Sequence, residues 1–274
     1  MSSNEFSTRV FCDFGNSRVK IRYRHQTVTY PYEQDPAWEL PVATILASLP
    51  SPLLLCIATV APQRSQQLLR ALQHHSVECL LCWLPELLPP TNPFLPYEGV
   101  HGIGIDRILG LIAAQRLFEP PIITVDCGTA ITVNVLSTDG KCIGGAIFAS
   151  VPLQLWALSA GTAALPALAS PDIPPPSIGK TTEEALLSGT FASVLGGIWE
   201  LIDLFSHMLK SPRPPAIVIT GGGGLPFISI LRRRWRGKLA YRPYLVLEGI
   251  EGLMERISDE QLQAHVQPLH AMSL

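Results

Sequence analysis

The sequence predicts an α/β protein made of two similar lobes, and two observations carry that prediction. First, one short pattern occurs twice. Val10-Phe11-Cys12-Asp13-Phe14-Gly15-Asn16-Ser17-Arg18-Val19-Lys20 stands near the start, and Ile122-Ile123-Thr124-Val125-Asp126-Cys127-Gly128-Thr129-Ala130-Ile131-Thr132-Val133 stands in the middle. Each is an apolar strand-like run, an Asp-x-Gly, a hydroxyl within two residues of the Gly, and a second such run. That reads as a hairpin with a tight turn. Second, further strand-like runs alternate with segments that are apolar at helix spacing after each hairpin. The two hairpins lie about one domain length apart, as two lobes require.

Composition bounds the rest. The chain has 274 residues, 47% of them hydrophobic, and a formal net charge of −2. A sizeable core is therefore expected, and nothing global points to nucleic acid or an anionic membrane. Cys12, Cys56, Cys79, Cys82, Cys127 and Cys142 lie mostly in apolar strand-like runs, which predicts reduced, buried thiols. Cys79-Leu80-Leu81-Cys82 lacks a partner pair for zinc and reads as core. The polar N-terminus and the lack of any apolar run approaching ~20 residues predict a soluble, cytoplasmic protein with no membrane partner.

In chain order, residues 9–13 and 18–24 form the first hairpin, and Gln26–Tyr30 adds a third strand. Pro31–Pro41 is expected to be loop and Leu53–Thr59 a buried strand. Pro62 opens a helix to about His75, since proline suits a first helical turn. Val77–Trp83 is a strand, and the proline-rich stretch Pro85–Pro96 is a loop. Ile105, Ile108, Leu109, Ile112, Ala113 and Leu117 recur at helix spacing. Residues 119–121 then divide the lobes, giving 1–119 and 120–274. After the second hairpin, Asp139-Gly140 is a turn into a strand over Lys141–Phe148. Helices are expected over Val151–Leu165 and from Thr181 to about Lys210, with a proline-rich loop over Pro166–Pro176 between them. Ala216–Thr220 is a strand, Phe227–Arg236 a helix, Tyr244–Leu247 a last strand and Gly249–Ile257 a last helix. The tail from Ser258 gives no strong signal.

The hairpins are where chemistry is expected. Gly15 and Gly128 let the backbone approach a ligand closely because they carry no Cβ. A strand-end carboxylate such as Asp126 can hold a cation. Together they suggest a phosphate-and-cation cradle of the hairpin type. Asp106 stands at a helix start behind Gly102-Ile103-Gly104. It reads either as a helix cap or as a carboxylate held at a cleft mouth, with Arg107 able to bind a carboxylate bidentately. Ser177-Ile178-Gly179-Lys180-Thr181 is no P-loop, because position 174 is proline and no strand precedes it. Thr181-Thr182-Glu183-Glu184 reads instead as a capping box. Gly221–Gly224 after a strand reads as a ligand-facing loop or a plain turn. Arg232, Arg233, Arg234 and Arg236 read as a solvated face or a subunit contact.

With these motifs in order, the chain resembles the type III pantothenate kinases of the acetate and sugar kinase, Hsp70 and actin superfamily. The similarity runs from about Phe11 to Met254. It is carried by Asp13 to Lys20, Gly104-Ile105-Asp106-Arg107, Asp126-Cys127-Gly128-Thr129-Ala130, Gly144-Gly145-Ala146-Ile147, Gly179 to Ala185 and Thr220-Gly221-Gly222. The resemblance implies two ribonuclease-H-like (actin-like ATPase) lobes, each a mixed sheet flanked by helices, with the nucleotide in the cleft between them. It implies ATP-dependent phosphorylation of pantothenate at its 4′-hydroxyl, the first step of coenzyme A biosynthesis. It further implies Mg²⁺ with ATP, a monovalent cation (potassium or ammonium), a homodimer and no nucleic acid partner. By matching position, Asp13, Phe14, Gly15, Asn16, Ser17, Arg18, Val19, Lys20 and Thr129 are implied ATP contacts. Tyr97, Gly104, Ile105, Asp106, Arg107 and Thr182 are implied pantothenate contacts, Asp106 is the implied catalytic base, and Asp126 the implied monovalent-cation ligand.

Two departures stand out. The family has Asp where this chain has Asn134, and Pro-Gly where it has Ala149-Ser150. They keep open a catalytically impaired nucleotide-binding regulator of the same fold; a kinase for another small alcohol of the same superfamily is a separate alternative.

Overall fold

The computed structural model describes residues 8–170, 173–175 and 178–271. The proline-rich loop expected over 166–176 is thus described in part, since 171–172 and 176–177 lie outside the described residues, as do the first seven positions and the last three. The chain divides into two compact units. One runs to Pro96 and adds His101–Ala113 and the chain from Val246 on; the other is Tyr97–Val100 with Ala114–Leu245.

The first unit is built on β1 (Thr8–Phe14), β2 (Arg18–Tyr23), β3 (Gln26–Pro31), α1 (Glu39–Ala47), β4 (Leu53–Thr59), α2 (Pro62–His74), β5 (Cys79–Trp83), the short α3 (Leu84–Leu87) and the start of α4 (Ile105–Leu117). The second holds β6 (Ile122–Cys127), β7 (Ala130–Leu136), β8 (Cys142–Ala149), α5 (Val151–Gly161), α6 (Thr182–Met208), β9 (Ala216–Thr220), α7 (Leu225–Arg234) and β10 (Leu239–Tyr241). The chain ends with α8 (Leu245–Met254), α9 (Asp259–Ala264) and β11 (Val266–Pro268), all but the first residue of α8 in the first unit.

The repeat seen in the sequence is a repeat of topology. The sheets have the orders β11-β5-β4-β1-β2-β3 and β10-β9-β6-β7-β8. In each, three consecutive antiparallel strands are followed by two strands parallel to the first. β4 is apolar from Leu53 to Ala58 because it lies between parallel neighbours and is covered on both faces. One face of the first sheet packs Cys12, Phe14, Val19 and Ile21 against Leu68, Leu69 and Leu72 of α2 and against Trp38. The corresponding face of the second packs Ile123, Val125, Val133 and Ile219 against Val194, Ile198 and Ile202 of α6. Phe191 stacks on Phe227 beside them, with centroids 4.9 Å apart. All six cysteines are free and buried, as expected.

Several elements differ from the sequence reading. Part of the expected loop before position 41 is α1, whose Pro41 sits in its first turn, where a missing N–H costs nothing. The last strand of the second sheet is β10, not 244–247. Leu245-Val246-Leu247 opens α8 instead, since a short apolar run has no period that separates strand from buried helix. The tail is structured: Ser258 and Gln261 form a reciprocal capping box, and β11 pairs antiparallel with β5. That pairing groups the chain end with the first sheet, so the units differ from a single cut after residue 119. Finally, α6 does reach the length and apolarity of a membrane span, with mean hydropathy 1.5 over its best window, 28% of which is buried. Glu200 and Asp203 interrupt the apolar run in sequence, while its buried stripe belongs to the second core.

Candidate active site

In the first unit the hairpin tip is closed by the Gly15 N–H donating to the Arg18 carbonyl at 3.1 Å. β4 supports it from the other side, with the Val60 N–H donating to the Phe14 carbonyl at 3.0 Å. Asp13 and Lys20 are partners across β1 and β2. Their side chains form an ion pair at 3.2 Å, with Asp13 only 7% exposed.

The Gly104-Ile105-Asp106-Arg107 motif lies in the same unit. Gly104 ends the loop, and its carbonyl accepts the Arg107 N–H at 3.1 Å in the first turn of α4. Asp106 lies inside that turn, one residue past the helix start, and its Oδ1 accepts the Arg107 N–H at 2.8 Å. A Cβ at Gly104 would collide with Asp106 Oδ1 and touch Val60, so any larger residue would have to displace this carboxylate. Burial raises the Asp106 pKa, and the charge of Asp13 pushes it the same way. The Arg107 N–H and guanidinium oppose the rise. The first hairpin and the Gly104–Arg107 motif thus bring two carboxylates within electrostatic reach of each other.

In the second unit Asp126 faces Thr132 across the hairpin and Thr220 on the parallel strand. The Gly128 N–H closes the tip on the Ala130 carbonyl at 3.2 Å. Gly221, at φ +80°, runs so close that a Cβ there would lie 2.5 Å from Asp126 Oδ1 and 2.6 Å from the Cys127 carbonyl oxygen. The Gly223 N–H donates to that carbonyl at 3.0 Å. The glycine loop is therefore folded onto the end of β6. Tyr241 holds it there, its hydroxyl donating to the Gly221 carbonyl at 3.1 Å. A carboxylate, a backbone carbonyl and tightly turned backbone make an all-oxygen environment, the donor type for a hard cation. Among the described residues no group of three or more His, Cys, Asp or Glu side chains is arranged for a metal.

The two sequence departures have partners. Ser150 caps α5, accepting the Leu153 N–H at 3.4 Å, and its hydroxyl donates to the Thr129 carbonyl at 2.6 Å. It thus ties the second hairpin tip to the following helix. Asn134 is buried opposite Thr124 and donates to its hydroxyl at 3.3 Å. An amide satisfies that position without a buried charge.

Thr182 is the first residue of α6, capped by Thr181, and lines a cavity of about 420 Å³ with Gln154, Leu158, Leu186 and Thr190. Tyr97 is grouped with the second unit; it is buried, and burial raises its hydroxyl pKa. Sequence reasoning missed Tyr241 and the Ser150 tie. Nothing local marks a tyrosine on a three-residue strand, whereas the Ser-x-x before an apolar run was a readable cap.

This doubled topology defines the class of fold, the two-lobe actin-like fold. A solved Baf family protein from Campylobacter jejuni superposes with a TM-score of 0.56 at 21% identity, covering 90% of this chain and 97% of that one. A structure from Sinorhizobium meliloti described as a 2-dehydro-3-deoxygalactonokinase gives a TM-score of 0.52 at 13% identity, covering 92% and 97%. These likenesses show the fold. A family model for type III pantothenate kinase matches residues 9–204. A type III pantothenate kinase of Halorhodospira halophila is 32% identical over 257 residues, 88% of this chain and 96% of that protein. One from Synechococcus elongatus is 32% identical over 240 residues, 85% and 82% of the two chains. The chain belongs to the type III pantothenate kinase family.

Proposed function

We propose that this protein transfers the γ-phosphoryl group of ATP to the 4′-hydroxyl of pantothenate, forming 4′-phosphopantothenate for coenzyme A synthesis. Beside its family membership, the observation that carries the reading is Asp106: half-buried in the first turn of α4, hydrogen-bonded through one oxygen and raised in pKa chiefly by desolvation. Phosphoryl transfer needs positioning and charge neutralisation more than covalent help. A carboxylate of raised basicity suits a primary alcohol that loses its proton as the P–O bond forms.

The remaining roles follow from the residues. Asp13 to Lys20 and Thr129 bind ATP, the hairpin N–H groups and Lys20 meeting its phosphates. Tyr97, Gly104, Ile105, Arg107 and Thr182 bind pantothenate, with the Arg107 guanidinium suited to its carboxylate. The cavity beside Thr182 is mostly apolar with hydroxyl and amide groups at its wall, which suits a molecule carrying both methyl and amide groups. Mg²⁺ entering with ATP would have Asp13 as its nearest hairpin carboxylate and would supply charge neutralisation at the phosphates. A potassium or ammonium ion would be held by Asp126 with backbone oxygens, a donor set it fits.

A homodimer is supported by exposed apolar side chains on β8, α5 and α6, among them Ile147 (62% exposed), Trp156 (67%) and Met208 (65%). Patches of this kind mark contact surfaces. Use of ATP and pantothenate places the work in the cytoplasm. Both departures are hydrogen-bonded in place, which favours the kinase reading over the impaired-regulator alternative.

The test is phosphorylation of pantothenate by purified protein with MgATP, with potassium, ammonium or sodium as sole monovalent ion. Turnover that needs potassium or ammonium is expected. Absence of turnover in folded, ATP-binding protein would overturn the kinase reading, and indifference to the ion would remove Asp126 from its role.

A further inference from the structure

Behind the first hairpin tip lies a stack of side chains of which only Phe14 belongs to a motif. Phe14, at the end of β1, packs edge-on against Trp38, with centroids 6.3 Å apart. Trp38, fully buried, packs on Tyr32 at 5.1 Å. The guanidinium of Arg64, in the first turn of α2, lies over the Tyr32 ring at 4.6 Å. Arg64 also donates to Gln67 at 3.2 Å, and Gln67 donates to Glu39 of α1 at 2.8 Å. The stack is thus fixed at both ends, by the core and by two helices.

Its connection to the tip is direct. The Tyr32 N–H donates to the Ser17 carbonyl at 3.0 Å. Ser17 is the last residue of the tip, where a one-ångström shift would re-aim the N–H groups at Gly15 to Ser17. By contrast, the Tyr32 hydroxyl and the Trp38 indole N–H are buried and make no hydrogen bond within the described residues. What Tyr32 contributes is therefore its ring and its backbone, not its hydroxyl. The charge of Asp13 reaches that ring's hydroxyl and helps burial to raise its pKa, which agrees with a close approach of the stack to the hairpin.

We infer that the Phe14–Trp38–Tyr32–Arg64 stack sets the position of the first hairpin tip, making Tyr32 and Arg64 positioning residues for the phosphates of ATP. The inference rests on the kinase reading above. Misplacing groups that orient phosphates costs rate out of proportion to stability, so the effect belongs to ATP and not to the alcohol. A cation over an aromatic face adds stiffness at a half-buried site.

The experiment compares wild type, Tyr32→Leu, Tyr32→Phe and Arg64→Met by steady-state kinetics with each substrate varied, alongside thermal melts. Tyr32→Leu is expected to raise the KM for ATP about tenfold while the KM for pantothenate stays within about twofold. Tyr32→Phe, which keeps the ring, should restore the wild-type KM for ATP. Arg64→Met keeps an aliphatic cover on the ring and should raise the KM for ATP about threefold, so it carries the test if Tyr32→Leu does not fold. Equal changes in both KM values, or a lowered melting temperature with no change for ATP in either variant, would overturn the positioning role. Absence of turnover in the wild type would instead overturn the kinase reading, and the inference with it.

Discussion

Lys20 Nζ lies 3.2 Å from Asp13 Oδ2, and the two residues are opposite one another across the first hairpin. The pair has two consequences that a double variant separates. Removing only the ammonium, as in Lys20→Met, leaves a carboxylate that is 7% exposed without its counter-ion. Breaking such a pair is costly, about 1–3 kcal/mol at this partly buried site. Asp13→Asn/Lys20→Met removes both charges and is expected to recover most of that stability. Neither variant should recover activity, because phosphate binding loses its cation in both. Chemical denaturation together with kcat/KM for ATP checks this; recovery of activity in the double variant would show that Lys20 serves the fold alone.

Asp106 gives a pH prediction. Its pKa is raised, chiefly by burial, and in its proposed role as base it works only when ionised. The acid limb of kcat/KM should therefore lie above the ordinary aspartate value of about 3.9. For stability the sign is opposite. The folded state binds this proton more readily than the unfolded chain, so the contribution of Asp106 to stability falls as pH rises from the ordinary aspartate value through the raised one. Asp106→Asn keeps an oxygen for the Arg107 N–H and removes the buried charge. It should lower turnover by about 10²–10⁴-fold without lowering the melting temperature at neutral pH. A variant that loses stability at pH 7 would contradict this account of the site.

Ser150 can be tested against its own family. Ser150→Gly replaces the hydroxyl that caps α5 and holds the Thr129 carbonyl, and it moves the sequence towards the relatives. Loss of a serine cap costs about 1 kcal/mol with alanine and less with glycine. The second hairpin tip also loses its tie. A small loss of stability with a rise in the KM for ATP is expected. If instead the KM for ATP is unchanged, the tie to Thr129 has no part in nucleotide binding.

What the sequence revealed, and what it hid, follows from the range of the interactions. Asp13 to Lys20 and Asp126 to Thr129 were readable because a hairpin writes its strands, turn and register within a dozen residues. Helix α2 was readable from Pro62 and its spacing. Helix α1 was hidden because two prolines, Pro36 and Pro41, bracket its start and mimic loop. Strand β10 was hidden because three residues carry no period, and its place is fixed by Ile217 and Ile219 on β9. Of the site, the motif residues were legible one by one. Their supports were not: Tyr241 against Gly221, Ser150 against Thr129 and Tyr32 against Ser17 each join positions separated by a turn or more of other structure.

The last prediction concerns Gly249, which lets α8 lie directly on the backbone of α4. A Cβ there would collide with the Leu109 carbonyl oxygen, and both residues are buried. Leu109 is less than one turn beyond Asp106 on the same helix, so pushing α8 away also shifts the helix that carries the base. Gly249→Ala should destabilise by about 1–3 kcal/mol, as overpacking of a closed contact does. It should also lower kcat more than it raises the KM for ATP, whose hairpin lies on other strands. Gly196→Ala on α6 is the control, since nothing lies within 4 Å of its added Cβ. There the helical preference of alanine should stabilise by up to about 1 kcal/mol. Melting curves and kcat for the two variants decide the matter. A Gly249→Ala protein as stable and as active as wild type would mean that α4 tolerates the displacement, and that the position of Asp106 does not depend on this contact.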